Sequence, residues 1–241
     1  MDSVFYEHLT NACHDFLWQR REICEYLGNR GITKKTVQAY KLGAFPKKWS
    51  DLFKKVNGQE LRDRGIVYNA SNSPFSHHPL VIPIHDSSGN PVAIGCRTLM
   101  PEKDRKKLGV PKYRNSVYTK TAHLFGLNVA IPSIREKNKV YVVEGFMDTL
   151  SAHQHGHKNV VATCGTLFSK RQLIILLRYT NNICIMFDND EAGKTNSSIV
   201  MQKFAKFELA KFSSCCTPQG FKDLDEYLHA GQDFSYFENI I

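Results

Sequence analysis

The stretch that most constrains this chain is Ile183-Cys184-Ile185-Met186-Phe187-Asp188-Asn189-Asp190-Glu191-Ala192-Gly193. Five apolar residues run without a break into two carboxylates one residue apart, and a segment compatible with helix follows. A continuous apolar run of this kind suits a strand buried on both faces, as in a parallel sheet. Asp188 and Asp190 would leave that strand at its carboxyl end, where open α/β sheets build their sites. On an extended chain residues i and i+2 point to the same side, so the two carboxylates can converge. Converging carboxylates repel unless a cation lies between them or one takes a proton. A hard divalent ion, Mg²⁺ first, suits an all-oxygen set. A plainer alternative stands beside it: two loop acids that cap the following helix.

The second half of the chain repeats this arrangement. Residues 139–143 read as an apolar strand ending at Glu144-Gly145, and 146–153 as a helix. A strand at 159–163, a helix at 169–178, the strand at 182–187 and a helix at 191–206 follow, with a fourth strand near 207–215. Strands alternating with helices predict βαβ units and a parallel sheet. Glu144 and Asp188 close two strands in the same way, so Glu144, Asp188 and Asp190 can share one sheet edge. Further on, Asp223 can cap a helix that starts near Leu224, with Asp225 and Glu226 in its first turn. His153, His155 and His157 alternate around Gly156 and read as a helix end and turn.

The first half reads differently. A helix over 3–30 is stopped by Gly28 and Gly31, and Thr33 caps a second helix through Tyr40, ended by Gly43. Residues 46–61 are a short helical region. Residues 79–84 and 91–99 read as a hairpin joined across 85–90, with Arg97 late in its second strand. Residues 101–109 read as a basic, mobile loop. Pro111-Lys112-Tyr113-Arg114-Asn115-Ser116 then mixes cations, an aromatic and an amide, which suits phosphate contacts and base stacking on a single strand.

Charge separates the two halves. The chain carries 32 Lys/Arg against 23 Asp/Glu, and the whole excess of +9 falls in residues 1–130. That pattern suits a polyanion gripped by one part and cations held by carboxylates in the other. Seven cysteines without a Cys-x-x-Cys pair argue against a disulfide framework and a structural zinc site, and for a reducing compartment. No apolar run approaches the roughly 20 residues of a membrane span, and the N-terminus shows no secretory signal. A cytoplasmic location without a membrane partner is expected.

The order of motifs resembles a known family. Glu144-Gly145-Phe146-Met147-Asp148, then Val161-Ala162-Thr163-Cys164-Gly165-Thr166, then Asp188-Asn189-Asp190-Glu191-Ala192-Gly193 resembles a TOPRIM domain, shared by bacterial-type primases, topoisomerases and some nucleases. Tyr26-Leu27 with Arg30-Gly31-Ile32 resembles the entry to the DnaG-type primase core. So do Ile82-Pro83-Ile84-x-Asp86-x-x-Gly89, Gly95-x-Arg97, Pro111-Lys112-Tyr113-x-Asn115-Ser116, Lys120 and Leu124-Phe125-Gly126-Leu127. Asp223-Leu224-Asp225-Glu226 resembles the family's further acidic motif. Three departures stand out. Asn189 replaces the Gly usual between the two aspartates, and Asn tolerates unusual backbone angles, so the turn is expected to survive. His77-His78-Pro79 replaces a basic residue, leaving one template-surface cation missing or pH-dependent. The family's zinc-ribbon and helicase-binding modules have no counterpart in the sequence.

The resemblance implies an α/β chain in three parts. These are a basic N-terminal α+β subdomain over 1–130, a TOPRIM-type parallel-sheet subdomain over 131–216, and a short helical C-terminal tail over 217–241 carrying the last acidic motif. It implies a DNA primase that makes short RNA primers on single-stranded DNA during replication, from ribonucleoside triphosphates, by metal-dependent nucleotidyl transfer. Glu144, Asp188 and Asp190 would be catalytic, and with Asp223 and Asp225 would hold Mg²⁺ or Mn²⁺. Arg97, Lys112, Tyr113, Asn115 and Lys120 would contact nucleic acid and triphosphate. Tyr113 either stacks on a base or packs beneath the hairpin. The implied partners are the template, the triphosphates and the RNA primer, with a replicative helicase or a zinc-binding module in trans. The implied setting is the cytoplasm of a bacterial or phage-infected cell. Two other readings use the same fold: a TOPRIM nuclease, with water as attacking group, and a non-catalytic single-strand-binding adaptor.

Overall fold

The computed structural model describes residues 2–165 and 167–238. Thr166, the last residue of the Gly165-Thr166 turn motif, lies outside them. The chain divides into two compact units, one of Met1–His85 with Asn90–Tyr118, the other of Asp86–Gly89 with Thr119–Ile241.

The first unit holds α1 (Asp2–Leu17), α2 (Arg21–Asn29), α3 (Lys34–Ala39), β1 (Gly43–Ala44), α4 (Trp49–Leu52), α5 (Gly58–Asp63), β2 (Leu80–His85), β3 (Pro91–Arg97), α6 (Glu102–Lys107) and β4 (Tyr113–Asn115). The strands form one antiparallel sheet in the order β1-β2-β3-β4. The helix expected over 3–30 is two helices. The chain turns at Trp18–Gln19, and Leu17 before the turn and Ile23 after it are both fully buried. Thr33 caps α3 as expected, its hydroxyl accepting from Thr36 N at 3.3 Å. The helix ends at Ala39, and it is the positive φ of 48° at Lys41 that turns the chain away, not Gly43, which pairs with Val81 in the sheet. Leu9, Phe16, Phe45, Trp49, Val81 and Ile94 belong to this unit's core.

The basic loop expected over 101–109 contains the helix α6. Glu102 and Lys106 pair across its turn at 2.6 Å, with the acid toward the N-terminus, the orientation the helix dipole favours. None of its residues is buried. That exposed pair supports the helix by roughly a few tenths of a kcal/mol at most, in a segment where no apolar periodicity announces a helix.

The second unit holds α7 (Leu127–Lys137), β5 (Val140–Val143), α8 (Phe146–Gln154), β6 (Val160–Ala162), α9 (Lys170–Leu176), β7 (Asn182–Ile185), α10 (Glu191–Phe204), β8 (Lys211–Ser214), α11 (Leu224–His229) and α12 (Ser235–Glu238). Its sheet is parallel throughout, in the order β6-β5-β7-β8. Every residue of β5 and β6 is buried, which is why these strands read as unbroken apolar runs. Val140, Val142, Val161, Ile183 and Ile185 pack with Leu173 of α9 and Val200 and Phe204 of α10. Val142 pairs with Ile185, so β5 and β7 end at the same edge. Glu144 and the loop 186–190 both start there. Among the described residues no helix is long and apolar enough to cross a membrane.

Candidate functional site

The carboxyl edge of the parallel sheet gathers the acids. Glu144 follows β5 directly, and its Oε1 accepts from Asp188 N at 3.4 Å. Asp188 is half-buried, and its carboxyl is pushed up to about 7, first by burial and then by the charges of Glu144 and Asp223. Burial also raises Glu144, with Asp190 adding to it. Asp148, in the first turn of α8, is buried and raised well above the carboxylate range by desolvation and by the charges of Asp223 and Asp188. One Asp148 oxygen accepts from the backbone N of the buried Asp225 at 3.1 Å. Six carboxylates, Glu144 after β5, Asp148 in α8, Asp188 and Asp190 in the loop after β7, and Asp223 and Asp225 at the start of α11, thus feel one another.

Asp190 and Asp223 both act as helix caps. Asp190 accepts from Gly193 N at 2.9 Å at the start of α10, and Asp223 accepts from Glu226 N at 2.9 Å at the start of α11. The plainer reading of the Asp-x-Asp pair therefore holds for Asp190. That cap, followed by Lys222, whose Nζ stands 3.1 Å from Asp190 Oδ2, holds the Asp190 carboxyl below its usual range. β7 ends at Ile185, so Asp188 and Asp190 stand in a loop and not on the extended strand. Asn189 takes no left-handed backbone angle. It acts through its amide: Nδ2 donates to Thr217 O at 2.9 Å, and its backbone N donates to Lys222 O at 2.6 Å. Asn189 thereby ties the acidic loop to the segment before α11. Asn189, Asp190, Lys194, Lys222 and Tyr236 line a cleft of about 720 Å³ beside it.

Sequence reasoning missed Asp148 and Lys222 as members of this group. Asp148 was visible as the acid four residues after Glu144, one helical turn on, but its neighbours come from α11. Lys222 adjoins the Asp223 motif, yet its pairing with Asp190 spans thirty-two residues and has no local signature.

The donor set fits a hard divalent cation. All its atoms are carboxylate oxygens, and three of the acids hold their protons more tightly, first because they are buried and then because like charges face them. Among the described residues no three such side chains form a ready shell. One or two of these carboxylates, with water and groups from a ligand, would complete such a site.

The raised pKa of Asp188 has a consequence for stability. Between its ordinary value of 3.8 and about 7, the folded chain holds a proton that the unfolded chain has released. This contribution is therefore lost as pH rises through that window. In metal-free buffer Asp188→Asn should gain in Tm relative to the parent between pH 5 and pH 8, and a divalent ion should narrow the gap. Parallel Tm curves for the two proteins would contradict it.

The basic group lies in the first unit. Arg97, the last residue of β3, pairs across the sheet with Tyr113, the first residue of β4. Its guanidinium carbon lies over the Tyr113 ring at 5.1 Å, and Nη1 donates to the Tyr113 hydroxyl. Tyr113 is half-buried, so its ring packs on the hairpin through Arg97. Lys112 is exposed, with Nζ 5.8 Å from the Tyr113 ring, and Asn115 is half-buried at the end of β4. Lys120 belongs to the second unit, in a short 3₁₀ turn whose carbonyl accepts from Gln172 Nε2 at 3.3 Å. His78 is no surface cation. It is buried, its Nε2 is 2.8 Å from Pro111 O, and burial lowers its pKa.

Comparison with known proteins matches both halves. Residues 13–131 match the family model of the DNA primase catalytic core, N-terminal domain, and residues 141–228 match a Toprim-like family model. The DNA primase of Legionella pneumophila is 34% identical over 179 residues, covering 70% of this chain and 30% of that protein. A solved DnaG catalytic core superposes with a TM-score of 0.84 at 26% identity, over 99% of this chain and 78% of that one. A DnaG primase catalytic domain bound to single-stranded DNA gives 0.79 at 25% identity, over 97% and 79%. The chain spans about 30% of the length of the curated primases it matches first. With its N-terminal antiparallel-sheet unit, its four-stranded parallel sheet and the acids at that sheet's carboxyl edge, the chain belongs to the DnaG-type primase catalytic core family and carries a Toprim domain.

Proposed function

We propose that this chain makes RNA primers: template-directed condensation of ribonucleoside triphosphates on single-stranded DNA. The observation that carries the reading is the gathering of Glu144, Asp148 and Asp188 at one sheet edge, in a chain whose first half matches the primase catalytic core, N-terminal domain, and whose second half matches a Toprim-like domain. A ribose 3′-hydroxyl attacks the α-phosphate of an incoming triphosphate. The new P–O bond forms as the bond to the β-phosphate breaks, and pyrophosphate leaves. Glu144, Asp188, Asp190, Asp223 and Asp225 are the carboxylates from which one or two would hold Mg²⁺ or Mn²⁺, which would neutralise the triphosphate and lower the pKa of the attacking hydroxyl. Glu144, with its pKa raised by burial, is also suited to take the hydroxyl proton. Lys222 keeps Asp190 paired until substrate arrives. Arg97, Lys112, Tyr113, Asn115 and Lys120 hold phosphates and bases, and the single-stranded DNA on a related catalytic domain supports that class of partner. A helicase or a zinc-binding module in trans, and a cytoplasmic setting, complete the proposal.

The test is incubation with single-stranded DNA, four ribonucleotides and Mg²⁺ or Mn²⁺. Short RNA supports the reading. Cleaved DNA without any triphosphate would point to a nuclease, and binding without either product to an adaptor. Lys112→Ala should weaken binding to single-stranded DNA evenly across sequences and reduce the salt slope by about 1. Because Lys112 is exposed, its melting temperature should stay at the parent value. An unchanged slope would remove Lys112 from the phosphate contacts.

A further inference from the structure

Arg97 is a buried cation without a buried anion. The residue is only 6% exposed. A guanidinium stays charged in any protein, so burying it ordinarily requires a carboxylate partner. Among the described residues no ion pair forms at Arg97, and its Nε has no hydrogen-bond partner. Aromatic faces take the carboxylate's place. The guanidinium carbon lies 5.1 Å from the Tyr113 ring and 5.3 Å from the ring of Tyr26, which comes from α2. Tyr26 is itself fixed. Arg30 Nε donates to its hydroxyl at 3.3 Å, and the Arg30 guanidinium carbon lies 6.0 Å from its ring. With Lys112 over Tyr113, three cations share two tyrosine rings.

Tyrosine faces stabilise a cation without consuming its hydrogen-bonding capacity for an oxyanion. A carboxylate in the same place would fill the guanidinium fork and exclude a ligand. We infer that Tyr26 is a positioning residue that holds the Arg97 guanidinium, its buried Nε unpartnered, as a receptor for a phosphate group. The inference rests on the nucleotidyl-transfer reading for the source of that phosphate, either the DNA backbone or the triphosphate.

The experiment uses the full chain and two probes, fluorescein-labelled oligo(dT) and a fluorescent ribonucleoside triphosphate, with Kd measured for Tyr26→Leu, Tyr26→Phe, Arg97→Ala and the Tyr26→Leu/Arg97→Ala pair. Leucine fills the space of the ring without its π face; phenylalanine keeps the face and drops the hydroxyl. Tyr26→Leu should weaken at least one probe by about 3- to 30-fold, the size of a cation–π contact. Tyr26→Phe should stay within about twofold of the parent on the same scale. In the Arg97→Ala background, Tyr26→Leu should add nothing, because the two residues act as one unit. The probe whose Kd moves identifies the source of the phosphate. Equal losses with and without Arg97 would overturn the inference. So would a Tyr26→Leu protein that binds like the parent while Arg97→Ala does not, and the nucleic-acid reading would then still stand. If Arg97→Ala binds both probes like the parent, the inference falls together with the assignment of this cluster to phosphate binding.

Discussion

Gly193→Ala should destabilise the protein by about 3 kcal/mol or more, the upper end of what overpacking costs. A Cβ at residue 193 would lie 2.0 Å from the carbonyl oxygen of Asp188, 2.8 Å from its carbonyl carbon and 2.9 Å from its nitrogen. All three are backbone atoms, so no side-chain rotation relieves the clash. The close approach exists because Asp190 caps α10 through Gly193 N, which folds the loop back over the first turn of the helix. Alanine must push this loop away or unwind the turn, and either movement displaces Asp188. Gly28 provides the contrast. It lies in α2 with nothing within 4 Å of its Cβ position, so Gly28→Ala should stabilise by about 0.5–1 kcal/mol through helix propensity. Urea unfolding of the two variants checks both. A Gly193→Ala protein as stable as the parent would mean that the loop does not pack on α10 as described.

Asp188→Asn should lower primer synthesis by about a thousand-fold or more, the scale of several kcal/mol of lost charge stabilisation. Asparagine keeps the size of the side chain and removes its charge. Asp188 sits where burial, Glu144 and Asp223 already oppose ionisation. The variant should therefore fold at least as well as the parent in metal-free buffer. Because the substitution leaves Arg97, Lys112, Tyr113, Asn115 and Lys120 unchanged, oligonucleotide affinity in metal-free buffer should be unchanged. Loss of synthesis with folding and binding intact separates a chemical role for Asp188 from a structural one. Full synthesis by Asp188→Asn would remove it from the chemistry.

Much of the fold could be read from the chain because its strands are buried on both faces. β5, β6 and β7 are plain apolar runs, each followed by a helix, and the parallel sheet with its acids at one edge follows from that pattern. The two-residue offset of Asp188 and Asp190 was less informative than it looked. The pair stands beyond the strand, and Asp190 spends its carboxylate on the α10 cap and Lys222. What could not be read depends on contacts distant in sequence. Asp148 becomes part of the cluster only when α11 brings Asp223 and Asp225 against α8. Asn189 stands where the family usually has glycine, and its role is a set of hydrogen bonds to residues 217–222, not a backbone angle. The α6 helix escaped because none of its residues is buried, so it leaves no apolar period.

The most direct test of template-directed synthesis supplies an RNA strand already annealed to a DNA template and offers one ribonucleoside triphosphate at a time with Mg²⁺ or Mn²⁺. Extension by the complementary ribonucleotide, and by none of the other three, with loss of the product in Asp188→Asn, is the predicted result. Addition that ignores the template base, or no extension by a folded chain that binds the duplex, would contradict it.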